Sequence, residues 1–100
     1  MSEQHDRLAK RLANAEGVPY NPGPGPDIQT PDKVIEVEVS QEMLSQGIRQ
    51  LQGFTRPRYL AVPEGLVETA KKRIENTKIG LINATTGKIV KRAQKPKERR

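Results

Sequence analysis

The sequence predicts an α/β fold in which helices flank a small mixed β-sheet. Short apolar runs with strand-like alternation are interspersed with segments whose apolar residues recur at helical spacing. Gly and Pro lie between these segments, where turns are needed. The chain has 100 residues, of which 33% are hydrophobic. We therefore expect a single domain with a modest core over residues 1–90 and a basic, disordered tail over residues 91–100.

The first predicted element is an amphipathic helix over residues 2–16. Leu8, Leu12 and Ala15 recur at helical spacing, and the charged residues between them lie on other positions. Gly17 follows as a plausible helix stop, since glycine favours the left-handed conformation that ends many helices. This helix is expected to bury one narrow apolar stripe.

A loop of alternating Pro and Gly follows at residues 21–26. This composition excludes both a helix and a regular strand ladder. Residues 18–20, Val-Pro-Tyr, are a candidate edge strand, because proline is tolerated at the edge of a sheet. We expect the loop to deliver Asp27 to a fixed position.

The next predicted element is a hairpin that joins Asp27 and Ile28 to the strand over residues 34–39. Strand side chains alternate between faces, so Glu36 and Glu38 face one way and the apolar residues beside them face the other. Pairing would bring Asp27 to about 5 Å from Glu36 between Cβ atoms. Three carboxylates sharing one patch need a proton, water or a cation between them. Such oxygen ligands suit a hard divalent ion, so Mg²⁺ or Mn²⁺ is the predicted cofactor.

After this strand, Ser40 is predicted to cap a helix over residues 41–52 that stops at Gly53. Gly47 on this helix would let another element approach closely. The remaining predicted elements are a strand, a helix and two strands over residues 58–62, 64–76, 79–82 and 88–90. The predicted order is α-β-β-α-β-α-β-β, with right-handed crossovers between parallel strands.

Composition excludes several classes of function. The chain lacks cysteine, which excludes disulfides, thiolate metal sites and cysteine nucleophiles. No apolar run reaches the length of a membrane helix and no signal-peptide core is present, so we expect a soluble, cytoplasmic protein. The net charge of +6 favours a polyanionic partner such as nucleic acid. The basic tail would either bind nucleic acid loosely or only maintain solubility.

The arrangement Gly-Pro-Asp27-Ile28, a short turn and Ile-Glu-Val-Glu at residues 35–38 resembles the PD-(D/E)xK nuclease superfamily. A helix, the strand at residues 59–63 and the late strand at residues 79–82 extend this likeness, which spans most of the chain. The superfamily includes archaeal Holliday-junction resolvases and type II restriction enzymes. The resemblance implies a restriction-endonuclease-like fold and a Mg²⁺-dependent endonuclease that acts on DNA, such as branched or repair intermediates.

The resemblance also implies roles for the matching acids. Asp27 and Glu36 would ligate Mg²⁺ with the backbone carbonyl of Val37, and the metal would activate a water for attack on a phosphodiester. Glu38 lies where the family usually has lysine. It would serve as a third ligand or a general base, or else the site has decayed and the fold only binds nucleic acid.

Other positions match the family more loosely. Gln50 and Phe54 are spaced like a Gln-x-x-x-Tyr element in which the Gln orients the site, although Gln50 is equally well read as a solvated helix residue. Glu3 and Glu16 are loose matches to an acidic residue that some members carry on the first helix. His5, the only histidine, is expected at the surface near the chain terminus, and without a second histidine it forms no histidine-based zinc site.

Six basic residues are candidate phosphate contacts. They are Arg49, Arg56, Arg58, Lys71, Lys72 and Arg73. Such contacts give affinity and orientation without reading sequence. A domain of this size cuts one strand at a time, so action on a duplex predicts a homodimer.

Two alternatives stay open at this point. The first is a catalytically inactive nucleic-acid-binding protein on the same scaffold. The second is a small α/β interaction module whose acidic strand is an ordinary solvated face, with its three carboxylates pointing into open water.

Overall fold

The computed structural model describes residues 3–23 and 25–94. Within them, five strands form one sheet and three α-helices pack on it. The helices are α1 (Glu3–Glu16), α2 (Leu44–Leu51) and α3 (Val67–Ile74). The strands are β1 (Ile28–Gln29), β2 (Val34–Val37), β3 (Arg58–Val62), β4 (Gly80–Asn83) and β5 (Lys88–Lys91). The predicted α/β class with a small mixed sheet is confirmed.

The five strands lie in the sheet in chain order, β1-β2-β3-β4-β5. The outer pairs, β1–β2 and β4–β5, are antiparallel, whereas β2–β3 and β3–β4 are parallel. Parallel neighbours need a crossover connection, which α2 supplies between β2 and β3 and α3 supplies between β3 and β4. The carboxyl ends of β2 and β3 therefore lie at the same edge of the sheet.

Two apolar clusters lie on opposite faces of the sheet. On one face, α1 packs on residues such as Ile35, Val37 and Ala61. On the other face, α2 and α3 cover residues such as Val34 and Leu60. The alternation along β2 and β3 explains this division, because neighbouring strand residues point to opposite faces. Each fully buried Leu or Ile contributes about 1.5–3 kcal/mol through removal from water.

The predicted stop of the first helix at Gly17 is confirmed. Gly17 has φ of +74°, its N–H donates to Asn14 O at 3.1 Å, and the N–H of Val18 donates to Ala13 O at 3.0 Å. These two bonds form a Schellman motif. The predicted edge strand at residues 18–20 is wrong, since these residues form no strand. The Schellman motif uses the N–H of Val18, and the side chain of Tyr20 packs on the first cluster.

The two later helices each begin with a 3-10 turn. Gln41–Met43 precedes α2 and Glu64–Leu66 precedes α3. The prediction that Ser40 caps through its side chain is wrong, because that side chain makes no capping hydrogen bond. Its backbone carbonyl instead accepts from Met43 N at 3.2 Å. The tighter 3-10 turn satisfies backbone groups at the helix start.

The last strand extends one residue beyond its predicted end. The ammonium group of Lys91 donates to Ile74 O at 2.9 Å and to Thr77 O at 3.0 Å, where the exposed carbonyls at the end of α3 favour a cation. The N–H of Gln94 donates to Lys78 O at 2.9 Å. Residues 91–94 of the predicted basic tail therefore contact the folded domain, and residues 95–100 lie outside the described residues.

Candidate functional site

Three carboxylates meet at the carboxyl end of β2. Asp27 directly precedes β1, Glu36 lies within β2, and Glu38 directly follows β2. Ile28 pairs with Ile35, so the hairpin register places Asp27 across from Glu36, as predicted. The N–H of Asp27 donates to Glu36 Oε1 at 3.2 Å, and the N–H of Val37 donates to Asp27 Oδ2 at 2.9 Å. These bonds join the two sides of the hairpin at the acidic patch.

All three acids are buried. Their exposed fractions are 5% for Asp27, 7% for Glu36 and 7% for Glu38. An acid on an ordinary solvated strand face would keep most of its surface in water. The expectation that these side chains point to open water is therefore wrong.

Burial and mutual repulsion disfavour ionisation of these acids. Burial raises the pKa of Glu36 to about 8, and the charges of Asp27 and Glu38 add to this effect. Burial and the charge of Asp27 raise the pKa of Glu38 to about 7, whereas a hydrogen bond from Glu36 opposes the rise. Burial also raises the pKa of Asp27, against the lowering effects of the Val37 N–H and of His5. Near neutral pH, Glu36 and Glu38 therefore share a proton.

His5 belongs to the site, and its prediction as a surface residue is wrong. Its exposed fraction is 8%, and its Nε2 lies 3.1 Å from Asp27 Oδ2. On the other side of the ring, Nδ1 lies 3.5 Å from Asp6 Oδ1, which accepts a hydrogen bond from the Tyr20 hydroxyl at 2.9 Å. The side chains of Tyr20 and Asp6 thus hold the imidazole against Asp27.

The sequence does contain a signal that His5 is buried, although the absence of a second histidine argues against a role for it. His5 lies three residues before Leu8, on the same helical stripe as the buried residues of α1. A polar residue on an apolar stripe predicts a buried partner. The acidic candidates on this helix do not reach the site: Glu3 is exposed, and Glu16 pairs with Lys33 at 3.2 Å.

The acids and His5 line part of a cavity of about 500 Å³ that we call the acidic cleft. Gly23 and Gly25 of the Pro-Gly loop also line it. A further wall comes from the α2 region, and Gln50 is part of that wall. The structure therefore brings Gln50 to the same cavity as the predicted acids. Phe54 packs instead against the second apolar cluster.

Gly47 provides the space in which Glu38 lies. A Cβ atom at residue 47 would lie 2.7 Å from Glu38 Cγ and 2.8 Å from its Oε2. Carbon atoms in ordinary contact lie about 3.5–4 Å apart. The prediction that Gly47 permits a close approach is confirmed, and the element that approaches is the end of β2.

Asn21, which was not among the predicted site residues, holds the Pro-Gly loop closed. Its N–H donates to Asp27 O at 2.8 Å, and its Nδ2 donates to Pro26 O at 3.1 Å. Its Oδ1 accepts from Gly23 N at 3.1 Å. An Asn before a Pro-Gly run is a common turn former, so its residue type is an available signal. These bonds hold the backbone immediately ahead of Asp27.

The cation chemistry of the cleft follows from its oxygen donors. Mg²⁺ takes one or two protein carboxylates and keeps several waters, and Asp27 and Glu36 offer such a pair. Among residues 3–23 and 25–94, no group of three or more His, Cys, Asp and Glu is placed to hold a metal ion as it stands. Asp27 Oδ2 and Glu36 Oε1 are engaged by backbone N–H donors. Val37, whose carbonyl is a candidate ligand, lies between the two glutamates at the end of β2.

None of the candidate phosphate-binding residues lines the cleft, and neither does any other described Lys or Arg. Arg58 is buried at the start of β3, the opposite end of the strand from the acids, so its side chain is not exposed to a phosphate in the cleft. Arg56 donates to Thr30 O at 2.7 Å, and Arg73 donates to Ser45 Oγ at 2.9 Å. The other three candidates have exposed side chains: Arg49, Lys71 and Lys72.

Comparisons of this chain with protein-family models, curated proteins and solved structures each found no match. None of the described helices combines the length and the apolar character needed to cross a membrane.

Proposed function

We propose that this protein is a Mg²⁺-dependent nucleic-acid phosphodiester hydrolase that acts on DNA, with Mn²⁺ as an alternative ion. The observation that carries this proposal is the meeting of Asp27, Glu36 and Glu38 in one cleft at the end of β2. A buried acidic cluster is costly unless a proton or a cation compensates it. A site that binds a hard cation and a phosphodiester would account for this cost.

The arrangement of elements supports the same proposal. The acids lie on a hairpin between α1 and α2, and a parallel strand pair continues the sheet beyond it. This arrangement is similar to the one implied by the resemblance to PD-(D/E)xK nucleases, and we propose a restriction-endonuclease-like scaffold on that basis. Cleavage of both strands of a duplex would then require a homodimer.

The roles of the side chains follow from their positions. Asp27 and Glu36 would hold the ion, with the carbonyl of Val37 as a further ligand. When bound, Mg²⁺ lowers the pKa of a water and neutralises charge on phosphate oxygens. Glu38 lines the same cleft as Glu36, and its carboxylate would accept a proton from an attacking water. His5 holds the side chain of Asp27 and Asn21 holds its backbone.

One observation favours a second candidate function. Glu38 replaces the lysine usual in the family, and no described Lys or Arg lines the cleft. A cationic side chain would otherwise stabilise charge that develops in the transition state. The second candidate is therefore a catalytically inactive nucleic-acid-binding protein on the same scaffold.

Cleavage assays separate these candidates. Supercoiled plasmid and branched DNA are incubated with Mg²⁺ or Mn²⁺ and one of three proteins: the wild type, Asp27→Asn or Asp32→Asn. Asp32→Asn is the control, because the side chain of Asp32 is exposed in the hairpin turn. Cleavage by the wild type and the control, but not by Asp27→Asn, supports the hydrolase. Binding without cleavage supports the inactive scaffold.

A metal titration followed by nuclear magnetic resonance tests the site itself. The expected result is a set of shifts confined to residues 27, 28 and 36–38. A titration that leaves these residues unchanged, together with no DNA binding, would refute both candidates and favour a small α/β interaction module whose buried acids bind no metal.

A further inference from the structure

We propose that the wall of the acidic cleft formed by Met43, Gln46 and Gln50 binds an unpaired nucleobase. We call these three residues the amide wall. The inference rests on the proposed function and deepens it, because it assigns the substrate class: single-stranded DNA, or DNA with an unpaired nucleotide at the reacting position. A hydrolase limited to fully paired duplex would not need this wall.

The amide wall is one continuous stripe. Its members are separated by three and four residues, so they share one face of the α2 region. All three line the same cavity as Asp27 and Glu36. Another face of α2 is buried through Leu44 and Leu51, which fixes the direction in which the stripe points.

The side chains of the amide wall are available to a ligand. Met43 is 40% exposed, Gln46 is exposed and Gln50 is half-buried. Within the described part of the chain, neither glutamine side chain has a hydrogen bond or an ion pair. Each amide therefore offers two donors and an acceptor inside a concave surface.

The chemistry of the amide wall suits a base better than a phosphate. The wall carries no charge, and the described part of the cleft contains acids without any Lys or Arg. Amides offer donors and acceptors that match the edges of bases, and the flexible thioether of Met43 packs well against a flat ring. The acids line another part of the cleft, where the metal would neutralise the adjoining phosphate.

The size of the cleft suits a single, unpaired base. A volume of about 500 Å³ is within the range of about 300–1,000 Å³ typical of sites for small molecules. A paired base is stacked within its duplex and its Watson–Crick edge is occupied. Enzymes that bind a base in a pocket therefore take it from single strands or rotate it out of the stack.

Binding to two single strands of equal charge tests the inference. Fluorescence anisotropy compares an oligothymidylate with an abasic oligonucleotide of the same length, in Ca²⁺ to limit cleavage. The wild type is expected to bind the oligothymidylate about tenfold more tightly, since one or two hydrogen bonds and a buried ring depend on the base. The double variant Met43→Ala, Gln46→Ala is expected to reduce this ratio to about twofold.

Gln52→Ala is the matched control, because Gln52 is an exposed glutamine that does not line the cleft. It is expected to keep the wild-type ratio. Equal affinity of the wild type for the two oligonucleotides would overturn the amide wall as a base site. If plasmid cleavage dependent on Asp27 persisted in that case, the proposed function would stand without it, whereas absence of all binding and cleavage would overturn both.

Discussion

Replacement of Glu36 by glutamine is expected to stabilise the metal-free protein at alkaline pH. The glutamine side chain would keep an oxygen to accept from the N–H of Asp27, as Glu36 Oε1 does at 3.2 Å. Its NH₂ group would take the place of the proton that Glu36 shares with Glu38. The substitution thus keeps the shape and the hydrogen bonds of the protonated acid and removes the buried charge.

The sign and size of the effect follow from the pKa of Glu36. This pKa is about 8 in the folded protein, against an ordinary value of 4.5. The folded state therefore binds more protons than the unfolded state between these values, and the stability contributed by protonation is lost as the pH rises through about 8. The full difference corresponds to about 5 kcal/mol for an isolated buried group. Because the cleft opens to solvent and the proton is shared, we expect about 2 kcal/mol.

Urea unfolding in a chelating buffer, at about pH 5 and about pH 9, measures this difference. The free energy of unfolding of the wild type should fall by about 2 kcal/mol relative to Glu36→Gln over that interval, with similar values at the acidic end. Glu42→Gln is the control, because Glu42 is exposed on the 3-10 turn. Parallel pH dependences of the wild type and Glu36→Gln would show that Glu36 is already ionised at neutral pH, which would refute the reasoning from burial.

Two further substitutions test how the cleft is held. Gly47→Ala would place a Cβ 2.7 Å from Glu38 Cγ, so we expect a loss of about 1–3 kcal/mol in thermal unfolding and weaker Mn²⁺ binding by titration. Gly65→Ala has nothing within 4 Å of its Cβ and should change neither. Asn21→Ala removes two side-chain hydrogen bonds of the Pro-Gly loop. We expect a loss of about 1–2 kcal/mol in stability and faster amide hydrogen exchange at Asp27. Asn14 is exposed, so the control Asn14→Ala should leave that exchange unchanged.

The acidic part of the site can be predicted because it depends on local rules. Alternation along β2 specifies which of its side chains share a face, and the short turn before β2 specifies the register of the hairpin. The observed pairing of Ile28 with Ile35 agrees with both expectations. The close approach at Gly47 can also be predicted from the sequence, since a glycine inside a helix often marks such a contact. These inferences need only the spacing of residues within one element or one hairpin.

The errors concern residues whose environment is set by distant parts of the chain. The sequence predicts His5 at the surface, but the packing of α1 on the sheet places it against Asp27, 22 residues away in sequence. Arg58 begins a strand that lies between two parallel neighbours, so tertiary packing buries it. In each case the spacing of residues predicts the helix or strand correctly, but it does not predict which distant residues pack against it.

The cost of the acidic cleft is itself an argument for function. Apolar residues of similar volume at Glu36 and Glu38 would extend the neighbouring core without any repulsion between charges. The chain instead supports these acids with costly local features: a glycine in the middle of α2 beside Glu38, and a buried histidine held against Asp27. A helix-interior glycine alone costs about 1 kcal/mol relative to alanine. Several separate features that each reduce stability and converge on one cavity are expected where selection acts on binding or chemistry instead of folding.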